Sequence, residues 1–152
     1  MDAAKEEDPE EPRVPDSQAL VERFYNDIWN RRDFAVAGEI LAADFRFRGS
    51  LGPEVIGIPA FIAYVESVHA ALGGYRCTIE ELIAEADRAA ARMTFAGQHR
   101  APLFGVAATG WNVSWAGAAF FEITLGRIAA LWVLGDVDGL KQQLGAGGDT
   151  PF

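Results

Sequence analysis

Apolar residues recur every three or four positions along three segments in the first half of the chain, which is the spacing of amphipathic helices. The first segment follows Asp16 and Ser17, either of which can cap a helix, and its apolar face consists of Leu20, Val21, Phe24, Tyr25 and Ile28. The second segment begins at Asp33, and the third begins near Pro59 and ends at Gly73. The pattern therefore predicts three helices, of which the first two form a hairpin.

From Tyr75 onward apolar and polar positions alternate, as they do in strands with one buried face. Four long strands are predicted here, and a short strand at residues 45–48 precedes the third helix. One side of the first long strand carries Tyr75, Cys77, Ile79 and Ile83, and one side of the second carries Ala89, Ala91, Met93, Phe95, Gly97 and His99. One side of the last strand carries Ile128, Ala130, Trp132 and Leu134, and the same phase reaches Asp136.

Helices followed by strands with hairpin-like links indicate an α+β fold, in which the helices cover one face of an antiparallel sheet. Gly97 and Gly117 lie in mid-strand, where bulges and bends occur, so we expect the sheet to be curved. Small strand residues such as Ala91 and Ala119 favour a pocket between sheet and helices over a solid core.

A chain of 152 residues predicts one domain. Residues 1–15 are acidic and rich in proline, so we predict a disordered tail there. The domain is predicted to occupy residues 16–145, with a frayed terminus at residues 146–152.

Charge and composition exclude several classes of function. The formal net charge is −9 and no basic stripe is present, so we expect no nucleic-acid partner. Cys77 is the only cysteine and there are only two histidines, which predicts neither a disulfide nor a metal site. No apolar leader or membrane-length apolar segment is present, so we expect a cytoplasmic protein without a membrane partner.

Asp136 is the most informative candidate for chemistry, because it follows an apolar strand that contains Trp132. A carboxyl group in apolar surroundings has a raised pKa and can serve as a general acid or base. Aspartate at a strand-to-helix corner is equally typical of a helix N-cap. The residues alone leave both interpretations open.

An acid/base site on a carbonyl compound also needs a donor to the enolate oxygen, and His99 and Tyr25 are the candidates. Each has a structural alternative, as a core histidine and as a packed tyrosine. Trp111, Trp115 and Trp132 could form a stacking platform for a flat ligand or belong to the core or an interface. Trp132 is the best candidate for a pocket wall because it shares its strand phase with Asp136.

Short motifs along nearly the whole chain from Asp16 resemble the SnoaL-like polyketide cyclases, or ester cyclases, of the nuclear-transport-factor-2-like superfamily. The matching pieces are Phe24-Tyr25-Asn26, Arg48-Gly49-Ser50-Leu51-Gly52 with Gly57 and Phe61, Gly97-Gln98-His99 with Gly105, Thr109-Gly110, Gly126-Arg127-Ile128, Trp132 with Asp136, and Gln143-Leu144-Gly145. The resemblance implies a cone-shaped, cystatin-like roll, a strongly bent antiparallel sheet with a deep apolar pocket, and a homodimer formed through the sheet.

The resemblance also implies a cofactor-free intramolecular aldol reaction on a hydrophobic, polyketide-like carbonyl compound. Asp136 stands in the family's W-x-x-x-D context and is the implied general acid or base. His99 is the expected second catalytic residue because of its place on an apolar strand face, not because of a family motif. The expected substrate-binding residues are Trp132, Tyr25, Phe95, Trp115 and Phe47. Three alternatives remain: an epoxide-hydrolase-type enzyme, a non-catalytic ligand binder and a dimeric assembly module of the same fold.

Overall fold

The computed structural model describes residues 16–145, so the predicted tail at residues 1–15 and the predicted frayed terminus at residues 146–152 lie outside the described part of the chain. The helices are α1 Asp16–Arg23, which continues as a π-helical segment Phe24–Asn30, then α2 Ala35–Ile40, α3 Ile58–Ala71 and α4 Val137–Leu144. The strands are β1 Leu41–Arg48, β2 Glu54–Ile56, β3 Leu72–Ala84, β4 Arg88–His99, β5 Asn112–Thr124 and β6 Arg127–Gly135.

One six-stranded sheet has the order β2-β1-β6-β5-β4-β3, and helices pack on its inner face. This confirms the predicted α+β class with a curved sheet. The expectation of a fully antiparallel sheet is wrong at one place, because β1 runs parallel to β6. No hairpin turn joins β1 to the long strands, so nothing local in the sequence sets its direction.

Aromatic side chains fill the space between the helices and the sheet. Phe24 of the π-helical segment is fully buried. Its ring lies between 5.0 and 6.1 Å from the rings of Tyr25, Phe61, Phe121 and Phe45. Edge-to-face and stacked contacts of this kind add to the gain from burying the rings. The core therefore fixes the π-helical segment, and with it Tyr25, against the sheet.

A β-bulge in β3 reverses the side chains that follow it. Ile79 pairs with Met93 and Glu81 pairs with Arg92, which leaves Glu80 as an extra residue. Ile83, predicted to face inward with Tyr75 and Cys77, is 63% exposed, so that prediction is wrong. Leu82 packs against the core in its place.

A second bulge in β6 has a larger effect on the predicted site. Ile128 pairs with Ile123 and Ala130 pairs with Glu122, which makes Ala129 the extra residue. The side chains after it change faces, so Leu131 and Val133 are buried, whereas Trp132 and Leu134 are 46% and 54% exposed. The prediction that Trp132 and Leu134 share the inner face with Ile128 is therefore wrong.

Two of the motif residues hold helices onto the sheet. The Arg127 guanidinium donates to the carbonyl oxygens of Gly38 at 2.6 Å and Leu41 at 3.3 Å, at the end of α2. The Gln143 side chain accepts from the Ser114 amide at 3.0 Å and donates to the Ser114 carbonyl at 2.7 Å, which fastens α4 to β5. These motifs therefore serve the fold rather than a reaction.

Candidate functional site

An interior cavity lies between the π-helical segment, α3 and the inner face of the sheet. The residues that line it are Tyr25, Trp29, Phe47, Gly49, Ser50, Leu51, Tyr64, Val68, Tyr75, Cys77, Phe95 and Val133, and none of these side chains carries a charge at neutral pH. The space open to the centre of a water molecule is about 20 Å³. That is room for a single water, so the aromatic walls nearly close the cavity.

Tyr25, one of the lining residues, has a buried hydroxyl group. Its ring packs edge-on against Phe24 and Phe121, at centroid distances of 5.0 and 6.0 Å. The oxygen has no hydrogen-bond partner within the described residues. Burial raises the pKa of Tyr25 well above its usual range, so the group is a neutral donor. An unpaired buried hydroxyl group destabilises the folded protein, and a hydrogen bond to a ligand oxygen would remove that cost.

Tyr75 and Cys77 contribute neutral groups to the same wall. Burial raises the pKa of Tyr75 well above its usual range, and burial likewise raises the pKa of the Cys77 thiol, against a smaller opposing effect of its hydrogen bond with Tyr75. The Asn30 side chain donates to the Cys77 carbonyl at 2.9 Å and accepts from the Cys77 amide at 2.8 Å. Cys77 is therefore held in place as a protonated thiol, not as a nucleophile.

The loop between β1 and β2 forms the irregular part of the cavity wall. Gly49, Ser50 and Leu51 belong to it, and Tyr64 of α3 packs so closely that a side chain at Gly49 would lie 2.7 Å from the Tyr64 hydroxyl. Burial raises the pKa of Tyr64 to about 12. Since the other lining residues belong to helices and strands, this loop is the segment that can move with the least loss of structure.

Four of the expected substrate-binding residues lie at or beside the cavity. Tyr25, Phe47 and Phe95 line it. Trp115 stands behind Phe95, with the ring centroids 5.5 Å apart, and its indole Nε1 is buried without a partner among the described residues. The lining residues Ser50, Tyr64, Tyr75 and Val133 were not predicted from the sequence.

His99 is fully buried and faces inward with Met93 and Phe95, as the strand pattern predicts. It does not line the cavity. Its Nδ1 accepts from the Thr109 amide at 3.1 Å and lies 3.0 Å from the Thr109 hydroxyl. The hydrogen of the ring is therefore on Nε2, which has no partner within residues 16–145. His99 fixes the β4–β5 connection; its catalytic role stays a prediction.

Trp132 lies on the outer face of the sheet, where it lines an open concavity and not the interior cavity, and its substrate-binding role stays a prediction. Its ring pairs with Phe120 at 6.0 Å, and the Arg48 guanidinium stands 4.9 Å above it. The cause is the extra residue Ala129, which turns Val133 rather than Trp132 toward the cavity.

Asp136 is exposed at the start of α4, so its expected apolar surroundings are wrong. Its Oδ1 accepts from the Gly139 amide at 2.9 Å, which is the geometry of an N-cap. The position on β6 that faces the cavity is Val133. Asp136 was expected to be catalytic because apolar surroundings would raise the pKa of its carboxyl group, and its exposed position does not provide those surroundings.

The cap interpretation predicts a specific pair of results. Asp136→Asn should change the free energy of unfolding by only a few tenths of a kcal/mol, because asparagine caps as well as aspartate, whereas Asp136→Ala should cost about 1 kcal/mol. Urea denaturation of both variants measures the difference. Equal losses in the two variants would contradict a role confined to capping.

A second, open concavity of about 810 Å³ crosses the outer face of the sheet. Its lining mixes charges of both signs, with Arg46, Arg48 and Arg88 beside Glu54, Glu85, Asp87 and Glu122, around an apolar centre that includes Phe120 and Trp132. Arg46 pairs with Glu54 at 3.1 Å and Arg88 with Glu85 at 2.9 Å. The open, mixed surface lacks the buried unpaired donor that distinguishes the interior cavity.

Residues 16–145 contain no group of three or more His, Cys, Asp or Glu side chains arranged to hold a metal ion. Within the same residues, no helix combines the length and apolar character needed to cross a membrane.

Comparison with known proteins gives a family match. A family model for SnoaL-like polyketide cyclases matches residues 19–144. A search of curated proteins finds no match.

Solved structures of similar proteins share the fold. TsrD from Streptomyces laurentii is 30% identical over 86% of this chain and 96% of its own, with a TM-score of 0.75. A candidate SnoaL-like polyketide cyclase from Jannaschia sp. CCS1 is 20% identical over 90% of this chain and 98% of its own, with a TM-score of 0.79. IdmH from Streptomyces antibioticus, a candidate polyketide cyclase, is 19% identical over 84% of this chain and 97% of its own, with a TM-score of 0.73. These matches confirm the resemblance and the fold class that the sequence predicts.

Proposed function

Since the chain belongs to the SnoaL-like polyketide cyclase family, we propose that it is a cofactor-independent enzyme of the cyclase or isomerase type. Its substrate would be a hydrophobic, uncharged carbonyl compound bound in the interior cavity. The observation that carries the proposal is Tyr25, which lines the cavity and whose buried hydroxyl has no partner in the described part of the chain.

Tyr25 would act as the donor to the reacting carbonyl oxygen. Its hydrogen bond strengthens as negative charge collects on that oxygen when the neighbouring carbon loses a proton. The described lining holds no carboxylate and no imidazole, so the proton passes to a hydroxide ion from the solvent, which becomes water. An epoxide hydrolase of the expected kind needs a pocket acid, which these lining residues do not supply.

A polyketide-sized substrate requires more space than the cavity now offers, because small-molecule pockets usually measure several hundred Å³. We therefore expect the β1–β2 loop, with Gly49, Ser50 and Leu51, to move outward when substrate enters. Tyr64 packs against the glycines of this loop and is the contact that such a movement would break.

Deuterium exchange into 1,3-diacetylbenzene tests the proposal. The probe is neutral and flat, and its methyl protons exchange only after loss of a proton next to a carbonyl group. Catalytic amounts of protein in D₂O should accelerate the loss of the methyl proton signal, followed by NMR. The competitor 1,3-diethylbenzene is apolar and does not exchange. Protein pre-incubated with an excess of it should accelerate the loss of the methyl proton signal less. An exchange rate equal to that of buffer alone would contradict an enzyme of this type.

A non-catalytic ligand binder is the second candidate function, and the absence of a carboxylate or imidazole from the described lining favours it. A binder would hold 1,3-diacetylbenzene without accelerating its exchange. Calorimetric titration alongside the exchange assay separates the two candidates. A cytoplasmic location stays a prediction for either.

We further propose that the outer face of the sheet forms a homodimer. Phe120, Trp132 and Leu134 are 50%, 46% and 54% exposed there and form an apolar centre. Arginines and acids surround them on the same face. A two-fold axis places a surface against its own copy, so a face that carries both signs of charge can pair with itself.

Trp132→Lys is expected to convert the dimer to a monomer, because it places a second cation beside Arg48 in an apolar interface. The mass measured by sedimentation equilibrium should then fall from twice the chain mass of 16.4 kDa to the chain mass itself. The control is Leu125→Lys at the β5–β6 turn, where the side chain is 95% exposed. Identical masses for wild type and both variants would contradict this interface.

A further inference from the structure

The side chains of Ser50 and Trp115 pack closely against the backbone of Gly135 on the inner side of β6, two residues beyond Val133. A Cβ atom there would lie 3.0 Å from the Ser50 hydroxyl oxygen and 3.1 Å from the indole Nε1 of Trp115. Two hydrogen-bonding groups from separate parts of the chain thus converge on the place where a side chain would begin. Gly117, the partner of Gly135 in β5, is likewise closely packed, since a Cβ there would lie 2.6 Å from the Phe95 ring.

Of the two groups, the Trp115 indole N–H is the stronger evidence for a bound ligand. Trp115 is 4% exposed, and its Nε1 has no partner in residues 16–145. Indole nitrogen is a donor only, so it can be satisfied by nothing except an acceptor atom. Buried donors of this kind are rare in folded proteins and point to a ligand or water oxygen.

This donor pair adjoins the cavity. Ser50 lines the cavity directly, and Phe95, which also lines it, packs against Trp115 at 5.5 Å. No charged side chain belongs to the described lining. A charged ligand would therefore be desolvated without an opposite charge, and a neutral oxygen such as a carbonyl is the acceptor that fits.

The pair is separate from the Tyr25 hydroxyl. Tyr25 packs against Phe121, whereas Trp115, six residues earlier on β5, packs against Phe95 and Tyr75. Neither the Tyr25 hydroxyl nor the Trp115 indole N–H has a partner in residues 16–145, so the two donors do not bind each other and can address different oxygens.

We propose that Ser50 and Trp115, whose polar groups converge beside the Gly135 backbone, form a second oxygen-binding subsite next to the cavity. The substrate class is then a neutral compound with two separated carbonyl-type oxygens, one held by Tyr25 and the other by the Ser50–Trp115 pair. This inference rests on the proposed function, because it assumes that the cavity is the ligand site.

The indole N–H resonances of ¹⁵N-labelled protein test the subsite directly. Addition of 1,3-diacetylbenzene should move the Trp115 indole proton downfield, because its N–H gains an acceptor. Addition of 1,3-diethylbenzene, which has the same shape without oxygen, should not. Trp115→Phe assigns the resonance, and Trp111→Phe is the matched control, because Trp111 is 55% exposed outside the site.

Affinities provide the second readout. Trp115→Phe and Ser50→Ala should each weaken binding of 1,3-diacetylbenzene by about five- to tenfold, the effect of one hydrogen bond, and leave that of 1,3-diethylbenzene unchanged. One set of results would contradict the subsite alone: both probes bind, Tyr25→Phe weakens binding of 1,3-diacetylbenzene only, and the Trp115 indole proton resonance does not move. The cavity would then remain the ligand site. If neither probe binds, both the subsite and the proposed function are wrong.

Discussion

Tyr25→Phe is expected to slow protein-catalysed methyl exchange of 1,3-diacetylbenzene by about 100-fold, the usual effect of removing one donor from a developing oxyanion. The ring remains, with its contacts to Phe24 and Phe121, so packing is preserved. The lost group is only the buried hydroxyl, which has no partner in the described residues.

The same variant should be as stable as wild type or more stable, by up to about 1 kcal/mol, because it removes a buried polar atom that makes no hydrogen bond. Activity and stability are therefore expected to change in opposite directions, which a purely structural tyrosine would not produce. The control is Trp111→Phe, whose side chain is 55% exposed outside the cavity and which should retain the exchange activity. Unchanged exchange in Tyr25→Phe would contradict the assignment of the donor.

Phe24→Ala is expected to destabilise the protein by about 3–5 kcal/mol, as fully buried phenylalanines do when truncated. Phe24 is 0% exposed, and four aromatic rings surround it. The cavity left behind cannot collapse easily, because those rings come from the helices, β1 and β5 at once.

Urea unfolding measures this loss, with Leu125→Ala as the control. Leu125 is 95% exposed, so its truncation should change the free energy of unfolding by less than about 0.5 kcal/mol. A loss below about 1 kcal/mol in Phe24→Ala would contradict the central place of the π-helical segment in the core.

The helices and the inner side of β4 could be predicted from the sequence, because local periodicity determines them. Met93, Phe95 and His99 share the inner side of β4 as their alternation indicates. The same alternation failed after Glu80 and after Ala129, where one extra residue shifts the pattern. A bulge depends on the pairing of two strands, so a period read along one strand cannot reveal it.

The candidate site shows why family motifs alone did not locate the chemistry. Asp136 follows an apolar strand and begins a helix, and that context is the same for a cap and for a pocket acid. His99 and Gln143 likewise hold backbone groups of Thr109 and Ser114. Tyr25 could be proposed from its place on an apolar helix face. Ser50 and Val133 could not, since a loop positions one and a bulge turns the other inward.

A crystal structure of the protein with 1,3-diacetylbenzene would test the central claim most directly. We predict the ligand in the interior cavity, with the β1–β2 loop displaced and one carbonyl oxygen about 3 Å from the Tyr25 hydroxyl oxygen. A ligand found only in the groove on the outer face, or bound inside with both carbonyl oxygens remote from Tyr25, would contradict the claim that this hydroxyl is the functional donor.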